Sequence, residues 1–380
     1  MKILFLDQSG NLGGAELCLL DIAKQYRDRS LVVLLSDGPF RTALEQQHIP
    51  VKVLAHQQIP IQKQSGLLQG CRSLTTLIPV IRQIAALGHE FDAIYANTQK
   101  ALVIGAIASL LCRRPLVYHL HDILSSEHFS RTNLRVATTL ANRVASLIIA
   151  NSHAAKAAFI SAGGCADKAT VIYNGFHLEP YLQATVDRSQ IRAQLGITEG
   201  FVVGHFSRLS PWKGQHVLLE ALNYCPEQVI AVFVGDALFG EDDYVEELHR
   251  QVEQYGLHQR VRFLGFRSDI PQLMAMCDLV AHTSTAPEPF GRVIVEAMLC
   301  GTPVIAAAAG GALELIEPEK NGWLAPPGDA TQLANQINYC YRHFRQVSAI
   351  AQQAKLQAIQ RFHIQTIQKQ IDETLSHLPV

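Results

Sequence analysis

The chain reads as an α/β protein made of two Rossmann-like, doubly wound parallel-sheet domains, and three observations carry that reading. Short β-rich runs alternate with helical stretches along its whole length. Those runs are continuously apolar instead of alternating, as expected of parallel strands covered on both faces. The length of 380 residues is long for one hydrophobic core and natural for two of roughly 180 residues each.

The first half supplies seven strand candidates: Lys2–Asp7, Leu31–Ser36, Val51–Ala55, Phe91–Ala96, Leu116–Leu120, Ser146–Ala150 and Thr170–Tyr173. Helical stretches such as Ala15–Tyr26 and Leu77–Leu87 separate them. The second half repeats the style with Phe201–Phe206, Val229–Val234, Arg262–Leu264, Leu279–Thr283, Pro303–Ala307 and Gly322–Leu324. Between the halves the segment Glu179–Leu195 is polar and begins beside a proline, which puts the boundary near residue 185. The expected domains are therefore 1–185 and 186–361, with a last helix over about 362–380 that runs into Pro379. Open α/β sheets bind ligands outside the carboxyl ends of their strands, so chemistry is sought in the loops after strands. Two such domains facing each other would form one cleft.

Composition narrows the function classes. The formal net charge of −1 gives no global field toward nucleic acid. Residues 1–185 hold 17 Lys+Arg against 12 Asp+Glu, whereas residues 186–380 hold 15 against 21. That asymmetry fits a basic half meeting anionic material, and it fits chance as well. Eight cysteines are scattered without a CxxC pair, which suits a reduced, cytoplasmic protein. The N-terminus runs straight into a strand and a glycine loop, unlike a secretory signal. The longest apolar run, Ala101–Cys112, is shorter than the roughly 20 residues of a spanning helix.

The motifs follow in chain order. Ser9-Gly10-Asn11-Leu12-Gly13-Gly14-Ala15-Glu16 links the first strand to a helix whose free N–H groups suit an anion. It is not GxGxxG, and a plain turn remains an alternative. Tyr118-His119-Leu120-His121-Asp122 ends a strand with both histidines on one face. Three readings compete: metal ligands lacking a third partner at convincing spacing, packed core histidines, or a His121 that projects from the strand tip. In Ser207–Gly214 two cations, Arg208 and Lys213, straddle a turn after a strand. Such a pair suits phosphate oxygens, or is a solvated surface pair. Phe263-Leu264-Gly265-Phe266 ends another strand and offers backbone to a base, or is only a turn.

The sharpest signal is Pro287-Glu288-Pro289-Phe290-Gly291-Arg292-Val293-Ile294-Val295-Glu296. Glu288 precedes a proline and is extended, while Glu296 lies within a helix that begins near Gly291. A helix N-terminus between two carboxylates serves a ligand with hydroxyls at both ends of a phosphate group. A nucleotide sugar has that pattern.

These residues resemble a known family. Glu288–Ala306 (EPFGRVIVEAMLCGTPVIA) is similar to the signature of retaining GT-B glycosyltransferases of family GT4, glycosyltransferase group 1. Ser207–Gly214 (SRLSPWKG) resembles that family's G-R-L-x-x-x-K-G, with Ser207 where glycine is usual. Gly13–Glu16, His121-Asp122, Tyr173-Asn174-Gly175 and Gly322–Asp329 match in order. The resemblance covers almost the whole chain and is strongest from 201 to 330.

The resemblance implies roles. Arg208 and Lys213 hold the donor diphosphate, Glu288 contacts the transferred sugar and Glu296 the ribose hydroxyls. Backbone around Pro289, Phe290, Gly291, Arg292 and Val293 meets sugar and phosphate. Gly13 and Gly14 belong to the donor set from the other domain, with Gly14 at the diphosphate, and His121 points at the sugar. The last helix packs back on the first domain. The expected reaction is retaining, metal-independent transfer of a hexose-type sugar from a nucleotide-diphosphate donor. UDP is favoured and GDP open. The expected acceptor is a hydroxyl on a carbohydrate or lipid-linked molecule of cell-envelope polysaccharide, lipopolysaccharide or glycolipid synthesis. A sugar-nucleotide epimerase of the same fold is one rival, and a non-catalytic nucleotide-sugar-binding subunit another. A nicotinamide oxidoreductase is the general α/β alternative. Arg131, Arg135 and Arg143 among apolar residues of Phe129–Arg143 make that segment a candidate for weak peripheral contact with an anionic membrane. A solvated helix face is the competing reading.

Overall fold

The structure, a computed structural model, describes residues 1–54, 67–183, 187–237 and 240–379, and for residues 67–76 the backbone alone. Ala55 of the third expected strand and the Cys71 side chain fall outside the described residues. The chain divides into two compact units, Met1–Phe176 with Ile364–Val380, and His177–His363.

The first unit holds strands β1 (Ile3–Asp7), β2 (Ser30–Leu34), β3 (Val51–Val53), β4 (Ala93–Ala96), β5 (Leu116–Leu120), β6 (Ala145–Ala150) and β7 (Ala169–Val171). They form one parallel sheet in the order β3-β2-β1-β4-β5-β6-β7. Its two faces have separate cores, which explains why the strands read as unbroken apolar runs. Leu4, Leu6, Ile94, Leu116 and Tyr118 pack on one side, and Ile3, Phe5, Tyr95 and Val117 on the other. Side-chain caps set where helices begin: Thr98 Oγ1 accepts from Ala101 N, and Ser152 Oγ from Ala155 N.

The last helix, Ile364–Ser376, belongs to this unit because its apolar stripe, Ile367, Ile371 and Leu375, fills the core behind β1. Asp372 fastens it by accepting hydrogen bonds from Gln25 Nε2 and Tyr26 Oη.

The second unit holds β8 (Phe201–Phe206), β9 (Val229–Val234), β10 (Val261–Phe263), β11 (Leu279–His282), β12 (Val304–Ala307) and β13 (Trp323–Ala325), in the parallel order β10-β9-β8-β11-β12-β13. Both sheets reverse their strand order beside their first strand, and that switch point is where open α/β sheets take ligands. The polar segment that put the boundary near residue 185 is docked onto this unit. Arg188 Nη2 and Arg192 Nη2 reach Asp278 at 2.7 and 2.8 Å. Two guanidiniums also bond backbone oxygens at Met276 and Cys277, so the unit begins at His177. No helix among the described residues is long and apolar enough to cross a membrane.

Candidate functional site

In the second unit the loop after β8 folds against the loop after β11. Pro211–Lys213 makes one 3-10 turn and Gly214 turns left-handed at φ 72° before the helix Gln215–Leu222. A Cβ on Gly214 would stand 2.0 Å from Thr283 O, so only glycine lets the two loops meet. His205 Nε2 bonds Thr283 Oγ1 at 3.0 Å from beneath. Burial, with His282 adding, pushes the His205 imidazole down to about 3, so it stays neutral. Ser207, standing where the family has glycine, is absorbed locally: its Oγ donates to Arg208 O and accepts from Gln215 Nε2, each at 2.9 Å.

That junction sets Lys213 on Glu288, with Nζ 2.5 Å from Oε1. His282 Nε2 lies 2.9 Å from the same oxygen and Ser284 Oγ donates to it. Burial alone would raise the Glu288 pKa, but Lys213 and His282, by charge and hydrogen bonds, hold it well below the carboxylate range. The loop after β12 braces the same residue. Gly310, at φ 59°, would put a Cβ 2.2 Å from Glu288 O, and Gly311 N donates to that oxygen at 2.8 Å. Gly310 and Gly311 thus both approach the Glu288 backbone closely.

Arg208 goes elsewhere. Its Nη1 is 2.7 Å from Glu241 Oε2, and Ser210 Oγ donates to Glu241 Oε1 at 2.6 Å. Trp212 links the two cations: its ring centroid lies 4.2 Å from Lys213 Nζ and 5.7 Å from Arg208 Cζ.

The helix Arg292–Cys300 starts at Gly291, itself left-handed at φ 93°. Glu296 is one turn in, 3.7 Å from Arg292 Nε. Phe290 is buried edge-on against Phe362, Pro289 and Val293 are half-buried, and what Phe290 can offer a ligand is backbone. Phe266 departs from expectation. Its N–H donates to Asp236 Oδ2 at 3.1 Å, so it presents a ring, 74% exposed, instead of that N–H. The ring borders an open hollow of about 500 Å³ lined also by Asp236, Asp242 and Glu246.

In the first unit β1, β4, β5 and β6 deliver a second cluster. Asn97, just after β4, donates from Nδ2 to Asp7 Oδ2 at 2.7 Å, which turns its Oδ1 toward His121. His121 Nε2 meets that oxygen at 2.9 Å, so Nε2 carries the proton. Asn151 Nδ2 lies 3.5 Å from His121 Nδ1. His119, 2% exposed, stacks under His121 with ring centroids 3.9 Å apart, and its Nδ1 bonds Tyr95 Oη at 2.8 Å. Burial holds its pKa well below the usual value. Gly13 and Gly14 open the helix Gly14–Ala23 and are exposed. A Cβ on Gly13 would stand 2.8 Å from Glu16 Oε2. Glu16 is raised by burial and by Asp7 nearby. Asp7 is raised by burial as well.

The structure corrects one element of the histidine reading: a third side chain does join the pair. Cys18 Sγ, His119 and His121 offer ligand atoms within 4.8 Å of one another. Sequence reasoning also missed His282, Ser284, Trp212, Glu241 and Asn97. His282 carried a usable signal, since it ends a buried strand as a histidine at the strand tip, like His121. Trp212 stood between the two cations already singled out.

The comparisons with known proteins agree with this architecture. Residues 187–357 match the family model for glycosyl transferases group 1, and residues 12–180 match glycosyltransferase family 4. The chain belongs to this glycosyltransferase family and has its GT-B fold of two Rossmann-like sheets. Anabaena HepE, solved with UDP-glucose, is 61% identical over 100% of both chains, with a TM-score of 0.92. Its complex with UDP is 62% identical over 100% of both chains, with a TM-score of 0.90. The spore coat protein SA of Bacillus subtilis is 35% identical over 185 residues, 45% of this chain and 48% of that protein. The chain thus spans about half the length, or less, of the curated relatives it matches.

Proposed function

We propose that the protein is a retaining glycosyltransferase that moves a hexose-type sugar from a UDP-sugar to a hydroxyl acceptor in envelope polysaccharide, lipopolysaccharide or glycolipid synthesis. The observation that carries the reading is the Glu288 carboxylate, kept ionised by Lys213 and His282 at the entrance of the helix Arg292–Cys300. An ionised acceptor held in place suits sugar hydroxyls, and the adjoining helix N-terminus suits a diphosphate. The UDP-glucose complex of Anabaena HepE supports uracil as the base and glucose as a first donor to try.

As the glycosidic bond breaks, negative charge collects on the departing nucleoside diphosphate. Lys213, Arg208 and the helix N-terminus stabilise it, each well-placed donor contributing about 3–4 kcal/mol of barrier. Arg208 exchanges Glu241 for phosphate oxygens, and the Trp212 ring lies within cation–π reach of both cations. Glu296 takes the ribose hydroxyls. The sugar acquires oxocarbenium character and the acceptor hydroxyl attacks from the face the diphosphate leaves. No metal is required by this scheme. In the first unit the resemblance assigns His121 to the sugar and Gly14 to the diphosphate.

The experiment is a thermal-shift screen of UDP-, GDP- and ADP-sugars followed by product analysis. UDP-glucose or another UDP-sugar is expected to raise the melting temperature by mass action. NMR of the product is expected to show the donor's anomeric configuration retained. A donor epimerised without transfer would instead favour the epimerase reading.

A further inference from the structure

We infer that the first unit contains a binding site for a thiophilic divalent cation of the zinc type, made by Cys18 Sγ, His119 Nε2 and His121. Two observations converge on it. The ligand atoms of these side chains already lie within 4.8 Å of one another. His119 Nε2 is buried with no hydrogen-bond partner among the described residues, in a side chain only 2% exposed. An orphaned buried nitrogen of this kind is costly unless something binds it.

The neighbours fix both rings for the task. Tyr95 Oη lies 2.8 Å from His119 Nδ1, and in the metal-bound form Nδ1–H donates to it, which leaves the lone pair on Nε2. Asn97 Oδ1 holds His121 Nε2 at 2.9 Å, which puts the lone pair on Nδ1, where the cation would replace Asn151 Nδ2, 3.5 Å away. Asn174 Oδ1 accepts from Cys18 Sγ at 3.3 Å and so orients the thiol. One sulfur and two imidazole nitrogens form a set that selects zinc over magnesium or calcium.

Tetrahedral bonds of about 2.0–2.3 Å place such ligands roughly 3.5 Å apart, so the three atoms close inward by about an ångström. Cys18 binds as thiolate and its proton passes to solvent. A fourth position is left for water on the side of His121, the least buried of the three. On the reading proposed above, a cation here withdraws His121 from the sugar, so zinc acts as an inhibitor and not as a cofactor.

The test titrates the metal-stripped full chain, under a phosphine reductant, with CoCl₂ and then ZnCl₂. One equivalent of Co²⁺ is expected to give ligand-field bands and a thiolate-to-cobalt charge-transfer band, both displaced by Zn²⁺. Cys18→Ser removes the charge-transfer band, and Cys18→Ala does the same should the serine variant lack a cooperative melt. Tyr95→Phe, which frees His119, weakens zinc binding by about 10–100-fold. Absence of the charge-transfer band in the wild type, or its persistence in both Cys18 variants, overturns the site. These readouts need no turnover and so stand apart from the proposed reaction. Sugar transfer, each variant measured against its own metal-free rate, is inhibited by zinc in the wild type and far less after Cys18→Ser. Undiminished transfer by zinc-loaded wild type would remove the inhibitory role.

Discussion

Lys213 Nζ stands 2.5 Å from Glu288 Oε1, across 75 residues of sequence, with both side chains largely withdrawn from water. This contact joins the two strongest motifs of the chain. It also changes what substitution at Lys213 should do. Losing the ammonium leaves a buried carboxylate short of its cation, which costs about 3–5 kcal/mol. Lys213→Ala is therefore expected to lower stability as well as turnover. Lys213→Met with Glu288→Gln should recover much of the stability and none of the turnover. Urea unfolding of the single and double variants checks this, and equal stability of Lys213→Ala and wild type would count against it.

Arg208 pairs with Glu241 at 2.7 Å on the partly exposed side of the same site. Its removal leaves no deeply buried charge, so stability should change little. Arg208→Ala is expected to cut kcat by about 10²–10³-fold, the loss typical of one donor to a developing negative charge. Steady-state kinetics with UDP-glucose measures it. A kcat within twofold of wild type would remove Arg208 from the diphosphate.

Gly214 is left-handed at φ 72° and has Thr283 O where a Cβ would be. Gly214→Ala should destabilise by about 1–3 kcal/mol from backbone strain and displacement of Thr283. The shift of the loop should also loosen Lys213 from Glu288. Denaturation midpoints and donor KM together test this.

His205 gives the second unit an acid-sensitive element. It is neutral in the fold, with a pKa near 3 against the ordinary 6.5. As pH falls below 6.5 the unfolded chain takes up a proton that the folded chain refuses. Stability from this residue is therefore complete above that pH and lost on acidification, by about 2 kcal/mol at pH 5. His205→Gln should flatten the unfolding free energy between pH 7 and 5, and an unchanged slope would refute the assignment.

The helix Arg131–Arg143 exposes Arg131, Arg135 and Val136. If it rests on an anionic membrane, the wild type should sediment with phosphatidylglycerol vesicles at low salt and less at high salt. Arg131→Gln with Arg135→Gln should stay in the supernatant. Equal sedimentation of both proteins would leave the segment as a solvated face.

The sequence by itself determined the two sheets, their parallel sense and the loops that carry the site. Those features depend on local periodicity: runs such as Phe201–Phe206 and Leu116–Leu120 are apolar throughout because both faces of a parallel strand are covered. Glu288 and Lys213 were legible as functional residues, but not as partners of one another. Only the tertiary structure decided that Arg208 turns to Glu241, that His282 and Ser284 share the Glu288 oxygen, and that Cys18 meets His119 and His121. Each of those choices depends on strand order and on loops meeting across the carboxyl edge of a sheet. No local pattern encodes which strand lies beside which, so the partners of a charged group stay hidden until the sheet is assembled.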